Sequence, residues 1–137
     1  MTTETHVARA FAAVEAGSPD YRVAIRSAGH EFVADEPPDN GGANAGPSPF
    51  GFLLSGLVSC TAITLRMYAQ RKGWAYEPLT VDARYDVSDT GERTIARIIT
   101  LPPGLDADQR ARMAEIAEKT PVTKAVRAGT PITTALT

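Results

Sequence analysis

The sequence is poor in the residues that build covalent cross-links and metal centres. Its 137 residues include one cysteine, Cys60, and two histidines, His6 and His30. A single cysteine cannot form a disulfide within the chain, and one cysteine with two histidines falls short of the ligands that a zinc site needs. We therefore expect no metal and no cofactor.

A strong charge of either sign is also lacking. The chain has 14 basic and 16 acidic residues, which gives a formal net charge of −2. Nucleic acids and anionic lipid surfaces attract proteins through a concentrated positive field. The charge balance therefore predicts neither nucleic acid nor membrane as a partner.

No segment has the pattern of a secretory signal or of a membrane-spanning helix. Residues 1–16 lack the basic start and apolar core of a signal peptide. The uncharged stretch 41–65 becomes apolar only at Phe50, so about sixteen residues precede Arg66, fewer than the roughly 20 that cross a bilayer. We expect a core helix here, and a cytoplasmic protein.

Two hairpins frame this helix in the predicted secondary structure. Tyr21–Arg26 alternates apolar and polar residues, Ala28-Gly29 makes a turn, and His30–Ala34 continues as a second strand. A loop covers Asp35–Pro49, and a helix capped by Ser48 runs to about Lys72 before Gly73. Leu79–Val87 and Arg93–Leu101 form the second hairpin.

The C-terminal third is predicted as two helices and a strand. Asp106 caps a helix to about Lys119 with Met113, Ile116 and Ala117 on its inner face. Thr120-Pro121 starts a short helix to Arg127, and Thr130–Leu136 closes as a strand. The order predicts an α+β fold, in one domain over residues 1–137, with two small antiparallel sheets around a long central helix.

The long helix is more apolar than one small chain can cover. Apolar residues spread beyond a single stripe before Leu65, so several of its sides need a partner. We therefore predict a homodimer in which the long helices share a core.

Cys60 lies within this helix, and its role has two interpretations. On a helix it neighbours Gly56, Leu57, Ile63 and Thr64, an apolar face with one hydroxyl. A buried thiol without a nearby cation is inert packing, whereas a thiol beside a cation becomes a nucleophilic thiolate. No basic residue lies within one turn of Cys60, so an activating group must come from elsewhere in the fold or from a second subunit.

Four segments give the chain a family resemblance. They are, in chain order, Gly41–Pro49 (GGANAGPSP), Leu53–Ala69 (LLSGLVSCTAITLRMYA), Arg71–Trp74 (RKGW) and Ile116–Val122 (IAEKTPV). In this order they resemble the OsmC/Ohr family, and the likeness covers nearly the whole chain.

The resemblance implies both a fold and a chemistry. It implies an intertwined α+β homodimer with two cysteine-bearing helices at its centre. It also implies a thiol peroxidase that reduces organic hydroperoxides in oxidative stress defence. In such enzymes the first cysteine becomes a sulfenic acid, a second cysteine resolves it, and an external dithiol restores both.

The chain departs from the family pattern around its cysteine. Cys60 matches the peroxidatic cysteine, but Thr120 occupies the position of the resolving cysteine, where it has the simpler role of a helix cap. The resemblance also implies an arginine and a glutamate that hold the thiolate, but Phe50, Gly51 and Phe52 occupy the region after the Ser-Pro helix start where the glutamate is expected. Candidate thiolate partners are Arg22 and Arg26, taken to share one strand face, and Thr64, although both arginines also fit as solvated edge charges.

These departures leave two functional hypotheses. In the first, the protein is a one-cysteine peroxidase, with a hydroperoxide as substrate and an external thiol or dithiol as reductant. In the second, it is a non-catalytic relative that binds a small apolar ligand in the dimer cleft.

Overall fold

The computed structural model describes residues 4–137 and has an α+β fold. Its strands and helices are β1 (Phe11–Ala13), β2 (Val23–Ser27), β3 (His30–Ala34), α1 (Pro49–Lys72), β4 (Thr80–Val87), β5 (Arg93–Thr100), α2 (Ala107–Ala117) and α3 (Pro121–Ala128). A short 3-10 turn spans Pro38–Asn40. The chain divides into two compact units, one ending at Phe52 and one spanning Leu53–Thr137. The single domain over 1–137 stays a prediction.

The N-terminal unit contains a three-stranded antiparallel sheet in the order β1-β2-β3. The predicted hairpin is confirmed, with Ile25 opposite Phe32 and Ser27 opposite His30. Ala28 and Gly29 both have positive φ values, of 51° and 80°, as a two-residue turn between right-twisted strands requires. β2 begins at Val23, so Arg22 lies just outside it and does not share a strand face with Arg26.

A buried carboxylate organises the loop that follows β3. Asp35 accepts hydrogen bonds from the backbone N–H groups of Glu36 at 2.8 Å, Ala43 at 3.2 Å and Ala45 at 3.0 Å. The hydrogen bond from Ala45 lowers the pKa of Asp35 most; burial opposes this, and the other two N–H groups and the charge of Arg22 lower the pKa further. The glycine-rich segment Gly41–Pro49 is therefore held in place by one ionised side chain.

Two glycines of that segment are required by close backbone approach. A Cβ on Gly42 would lie 1.9 Å from the carbonyl oxygen of Glu36, and one on Gly46 would lie 2.0 Å from that of Val33. Both separations are too short for any side chain. The spacing of these glycines thus follows from the path of the loop.

Helix α1 begins and ends as the sequence predicts. The Oγ atom of Ser48 accepts from the Gly51 N–H at 3.1 Å, and Gly73 follows the last turn with φ of 72°. Its buried residues recur every fourth position, namely Leu57, Thr61, Leu65 and Ala69. By length and composition α1 could cross a membrane, a test that core helices of soluble proteins also pass.

The core of the C-terminal unit lies between α1 and α2. Leu65 and Ala69 pack with Met113 and Ala117, and all four are 2% exposed or less. Ile116 packs against this cluster, so the predicted inner face of α2 is confirmed. The predicted N-terminus of α2 is confirmed too, since Asp106 and Gln109 form a reciprocal capping box. β4 and β5 pair antiparallel over their full length.

The predicted strand at Thr130–Leu136 is wrong. In the part of the chain that the structure describes, residues after Gly129 form no helix or strand, and Ile132 and Leu136 are 88% and 95% exposed. A strand needs an edge to pair with, and alternation along one segment does not supply that edge. Strand β1 was not predicted. Its three residues are too few to show alternation, and they form a strand because they pair with β2.

The Asp35 contacts predict a specific acid sensitivity. Because the folded pKa of Asp35 lies below the unfolded value of about 3.9, its stabilisation is present above that pH and is lost as the pH falls through the folded pKa. Asp35→Asn should lower the midpoint of thermal unfolding at neutral pH and flatten its decline in acid. The comparison is Asp39→Asn, an exposed carboxylate four residues on. Identical acid profiles for the two variants would contradict this role.

Candidate functional site

Cys60 lies on an apolar stripe of α1 that the single chain leaves largely uncovered. The thiol is free and half-buried. On the same side of the helix, Leu53, Ile63 and Met67 are 39%, 59% and 45% exposed. Around Gly56, one turn before the cysteine, a Cβ would meet no atom within 4 Å. The thiol is therefore accessible and has open space beside it.

The residue after Cys60 faces the interior instead. Thr61 is completely buried, and its Oγ1 donates to the Leu57 carbonyl at 2.7 Å. The same oxygen accepts from Nη1 of Arg97 at 3.0 Å. Cys60 and Thr61 are consecutive residues, yet the first lies on an exposed apolar surface and the second makes a buried polar contact.

Arg97 places a largely buried cation at this point. Its side chain is 11% exposed. Besides Thr61, it donates to Thr123 Oγ1 at 2.8 Å and to the Ala117 carbonyl at 3.1 Å. Glu118 lies 3.6 Å away as its partial counter-charge. These contacts satisfy a guanidinium that would otherwise be costly to bury.

Thr120 belongs to the same hydrogen-bonded group. It is fully buried at the start of α3, and its Oγ1 lies 2.6 Å from Oγ1 of Thr123. Its predicted capping role is wrong in part: Thr120 occupies the N-cap position, but its side chain caps no backbone N–H. The Thr120 hydroxyl is hydrogen-bonded to the Thr123 hydroxyl instead. We call Arg97, Thr61, Thr120 and Thr123 the threonine–arginine cluster.

A groove of about 540 Å³ opens beside this cluster. Its charged groups are Arg93, Arg97, Arg127 and Glu118. Its apolar wall consists of Leu57, Ile95 and Val126, and the hydroxyls of Tyr85, Thr94 and Thr123 complete the lining. The groove combines positive charge with an apolar surface, the arrangement that suits an organic anion.

The structure distributes the predicted site residues over both units. Thr64 lies on α1 one turn after Cys60 and is half-buried. Arg26 lies on β2 in the N-terminal unit, where its guanidinium stacks on the Phe11 ring at 5.1 Å. Arg22 is in that unit too, near Asp35. Their roles as thiolate partners stay predictions, as does that of Thr64.

Sequence reasoning missed Arg97. The available signal was its position on β5, where it alternates inward with Ile95 and Ile99. An arginine at an inward position of an apolar strand must find partners within the fold. Thr120, which the resemblance matches to the resolving position, belongs to the cluster, but its cation was not among the candidates. The catalytic role of Cys60 stays a prediction.

The sequence and fold are similar to proteins of one family. The family model described as OsmC-like protein matches residues 41–135. An osmotic stress induced and detoxification response protein of Psychrobacter arcticus has 20% identity and a TM-score of 0.73, with 90% of each chain covered. The organic hydroperoxide resistance protein OsmC of Legionella pneumophila has 16% identity and a TM-score of 0.69, with 91% of this chain and 92% of that one covered.

A third solved structure has a similar fold. The organic hydroperoxide resistance protein OhrB of Bacillus subtilis has 19% identity and a TM-score of 0.59, with 89% of this chain and 91% of that one covered. No curated protein sequence matches the chain. At such identities the structural matches establish a shared fold, and the family match rests on the sequence itself.

The threonine–arginine cluster predicts a large cost for a conservative change. Arg97→Lys keeps the charge but cannot supply the three directed hydrogen bonds, so the free energy of unfolding should fall by about 1–3 kcal/mol. Urea unfolding measures this. Arg84→Lys is the control, because that side chain is 73% exposed and should change stability by less than about 0.5 kcal/mol. Equal losses in both variants would contradict the role of the cluster.

Proposed function

The chain belongs to the OsmC-like protein family, and on that premise we propose that it reduces organic hydroperoxides with Cys60 as its single redox cysteine. The observation that supports this most is the position of Cys60: half-buried, beside open space at Gly56, and next in sequence to a residue that binds a buried guanidinium. The Legionella and Bacillus relatives are named for organic hydroperoxide resistance.

The proposed first step is a two-electron oxidation of sulfur. The Cys60 thiolate attacks the terminal oxygen of the hydroperoxide, a sulfur–oxygen bond forms, and the oxygen–oxygen bond breaks. The leaving alkoxide takes up a proton and departs as an alcohol. Cys60 is left as a sulfenic acid.

The second half-reaction needs a thiol from outside the chain, because Cys60 is the only cysteine. The external thiol attacks the sulfenic sulfur, water leaves, and a mixed disulfide forms. A second thiol, or the second group of a dithiol, then attacks the external sulfur and releases Cys60 reduced. The sum is one hydroperoxide and two thiols converted to alcohol, water and a disulfide.

An apolar ligand is the second candidate, and the uncovered stripe around Cys60 favours it. Leu53, Ile63 and Met67 present an apolar surface, and Gly56 leaves space within it. A non-catalytic family member could hold a small apolar molecule there between two subunits. In that case Cys60 is a packing residue.

Substitution of the cysteine separates the two functions. Cys60→Ser should reduce consumption of cumene hydroperoxide to the rate without enzyme, because a hydroxyl is a far weaker nucleophile than a thiolate. Ser59→Ala is the matched control, since its exposed hydroxyl donates to the Gly56 carbonyl within the same helix. We expect the control to keep full activity.

A trapping experiment reports on the same residue. With hydroperoxide and one equivalent of a monothiol, mass spectrometry should find a mixed disulfide at Cys60. Equal turnover by wild type and Cys60→Ser, with no adduct, would reject the peroxidase and leave the apolar-ligand function.

We also propose that two copies cover the uncovered stripe of α1 and form a homodimer. Four residues of this long helix are buried in the single chain, and its exposed apolar side chains flank the thiol. Burial of such a face stabilises an interface at about 25 cal/mol per Å². A second copy would also partly shield Cys60 from bulk water. The protein is expected to be soluble and cytoplasmic.

A charge placed in the stripe should dissociate the dimer. Wild type is expected at twice the 14.5 kDa chain mass in sedimentation equilibrium, and Ile63→Glu at the chain mass, because a carboxylate is costly to bury in an apolar interface. Ala111→Glu, at an exposed position of α2 away from this helix face, should stay dimeric. A wild-type monomer, or an Ile63→Glu dimer of undiminished affinity, would contradict this interface.

A further inference from the structure

The groove beside the threonine–arginine cluster has an excess of positive charge. Three guanidinium groups, those of Arg93, Arg97 and Arg127, line it together with a single carboxylate, that of Glu118. The chain as a whole has a net charge of −2, so positive charge is concentrated locally in this groove. Guanidinium groups bind carboxylates and phosphates through paired hydrogen bonds, so the groove favours an anion.

The arginines differ in what they can do for a ligand. Arg97 is largely buried and engaged with Thr61, Thr123 and the end of α2. Arg127 has a side chain that is 60% exposed. Arg93 lies at the start of β5 and contacts the Tyr85 hydroxyl at 3.3 Å. Arg127 can turn toward a bound anion, Arg93 adds a second positive charge to the lining, and Arg97 supplies a fixed background charge.

The carboxylate of Glu118 is already bound by two of these arginines. It forms an ion pair and hydrogen bond with Arg127 and lies 3.6 Å from Arg97. Its side chain is 57% exposed, so it can swing into solvent. A ligand carboxylate would compete with Glu118 for the same guanidinium groups.

The groove is lined by neighbours of both positions that matter for the proposed redox cycle, although Cys60 and Thr120 themselves do not line it. Leu57, which lines it, lies one helical turn before Cys60. Thr123, which also lines it, bonds to Thr120, the residue at the resolving position. A molecule of a few hundred Å³ held here lies alongside the turn of α1 that bears the thiol.

We propose that this groove binds a low-molecular-weight anionic thiol, which takes the place of the missing resolving cysteine. The inference rests on the peroxidase function proposed above and names its reductant class. The anionic groups of the thiol pair with Arg93 and Arg127, and its aliphatic part lies on Leu57, Ile95 and Val126. Its sulfur then attacks the Cys60 sulfenic acid, water leaves, and a second molecule of the thiol releases Cys60 and carries away the disulfide.

Binding is tested without any turnover. S-methylglutathione, whose sulfur cannot react, is titrated into the protein by calorimetry beside its diethyl ester, which lacks both carboxylates. We expect the diacid to bind and the diester to bind at least about tenfold more weakly, the usual cost of losing charge-assisted hydrogen bonds. Equal affinity for the two would overturn an anion site.

Three variants locate the binding. Arg127→Gln should weaken the diacid about tenfold, and Glu118→Gln should tighten it because the internal competitor is gone. Arg110→Gln removes the same charge from an exposed position on α2 outside the groove and should change nothing. Equal weakening by Arg127→Gln and Arg110→Gln, or weaker binding in Glu118→Gln, would overturn the assignment.

Reduction rates test the redox role separately. After oxidation of Cys60, Arg127→Gln should slow its reduction by glutathione and leave its reduction by cysteamine, a cationic thiol, unchanged. Equal slowing with both thiols, or with neither, would overturn the reductant assignment. If Cys60 does not react with hydroperoxide at all, the peroxidase proposal fails, and the calorimetry still decides whether the groove is an anion site.

Discussion

The hydrogen bonds of the Arg97 guanidinium connect every helix of the C-terminal unit to its sheet. From β5 the group reaches Thr61 on α1, Thr123 on α3 and the last carbonyl of α2. That carbonyl is one of the groups that a helix end leaves without an internal partner. Because one planar group makes all three contacts, their relative positions are fixed together. The surroundings of Cys60 therefore depend on a residue 37 positions further along the chain.

The same contacts explain the environment of Thr120, the position that the family resemblance matches to a resolving cysteine. Thr120 and Thr123 are buried with paired hydroxyls, and no buried polar side-chain atom within residues 4–137 lacks a partner. A thiol at position 120 would be a poor partner for the Thr123 hydroxyl, since sulfur is a weak donor and acceptor. The site is thus built around oxygen hydrogen bonds where a disulfide-forming pair would need two sulfurs. Any resolving thiol has to enter from solvent, and the arginine-lined groove is the open space next to these threonines.

Local signals predicted the elements well and the site poorly. Ser48, Gly73, the turn at Ala28-Gly29 and the capping box at Asp106 each act within a few residues, so the bounds of α1, the first hairpin and α2 could be read from the sequence. The family motif that points to Cys60 and Thr120 is local as well, and the roles it implies for them stay predictions. Arg97 gave no such signal, because its partners come from three other elements. The strand prediction at Thr130–Leu136 was wrong for a related reason. The alternation that suggested it is local, but a strand also needs a partner edge from elsewhere in the fold.

Helix α1 separates two chemically different environments. One side, bearing Leu53, Ile63 and Met67, is apolar and suits an organic substituent or a second subunit. The other side, at Leu57 and Thr61, meets the guanidinium cluster and the groove. Cys60 lies at the boundary, half-buried, one position from Thr61 and one turn from Gly56. In the proposed peroxidase the apolar chain of the hydroperoxide would lie at the apolar side, between the two copies, and the anionic thiol would approach from the groove. Each could then be selected by its own chemistry.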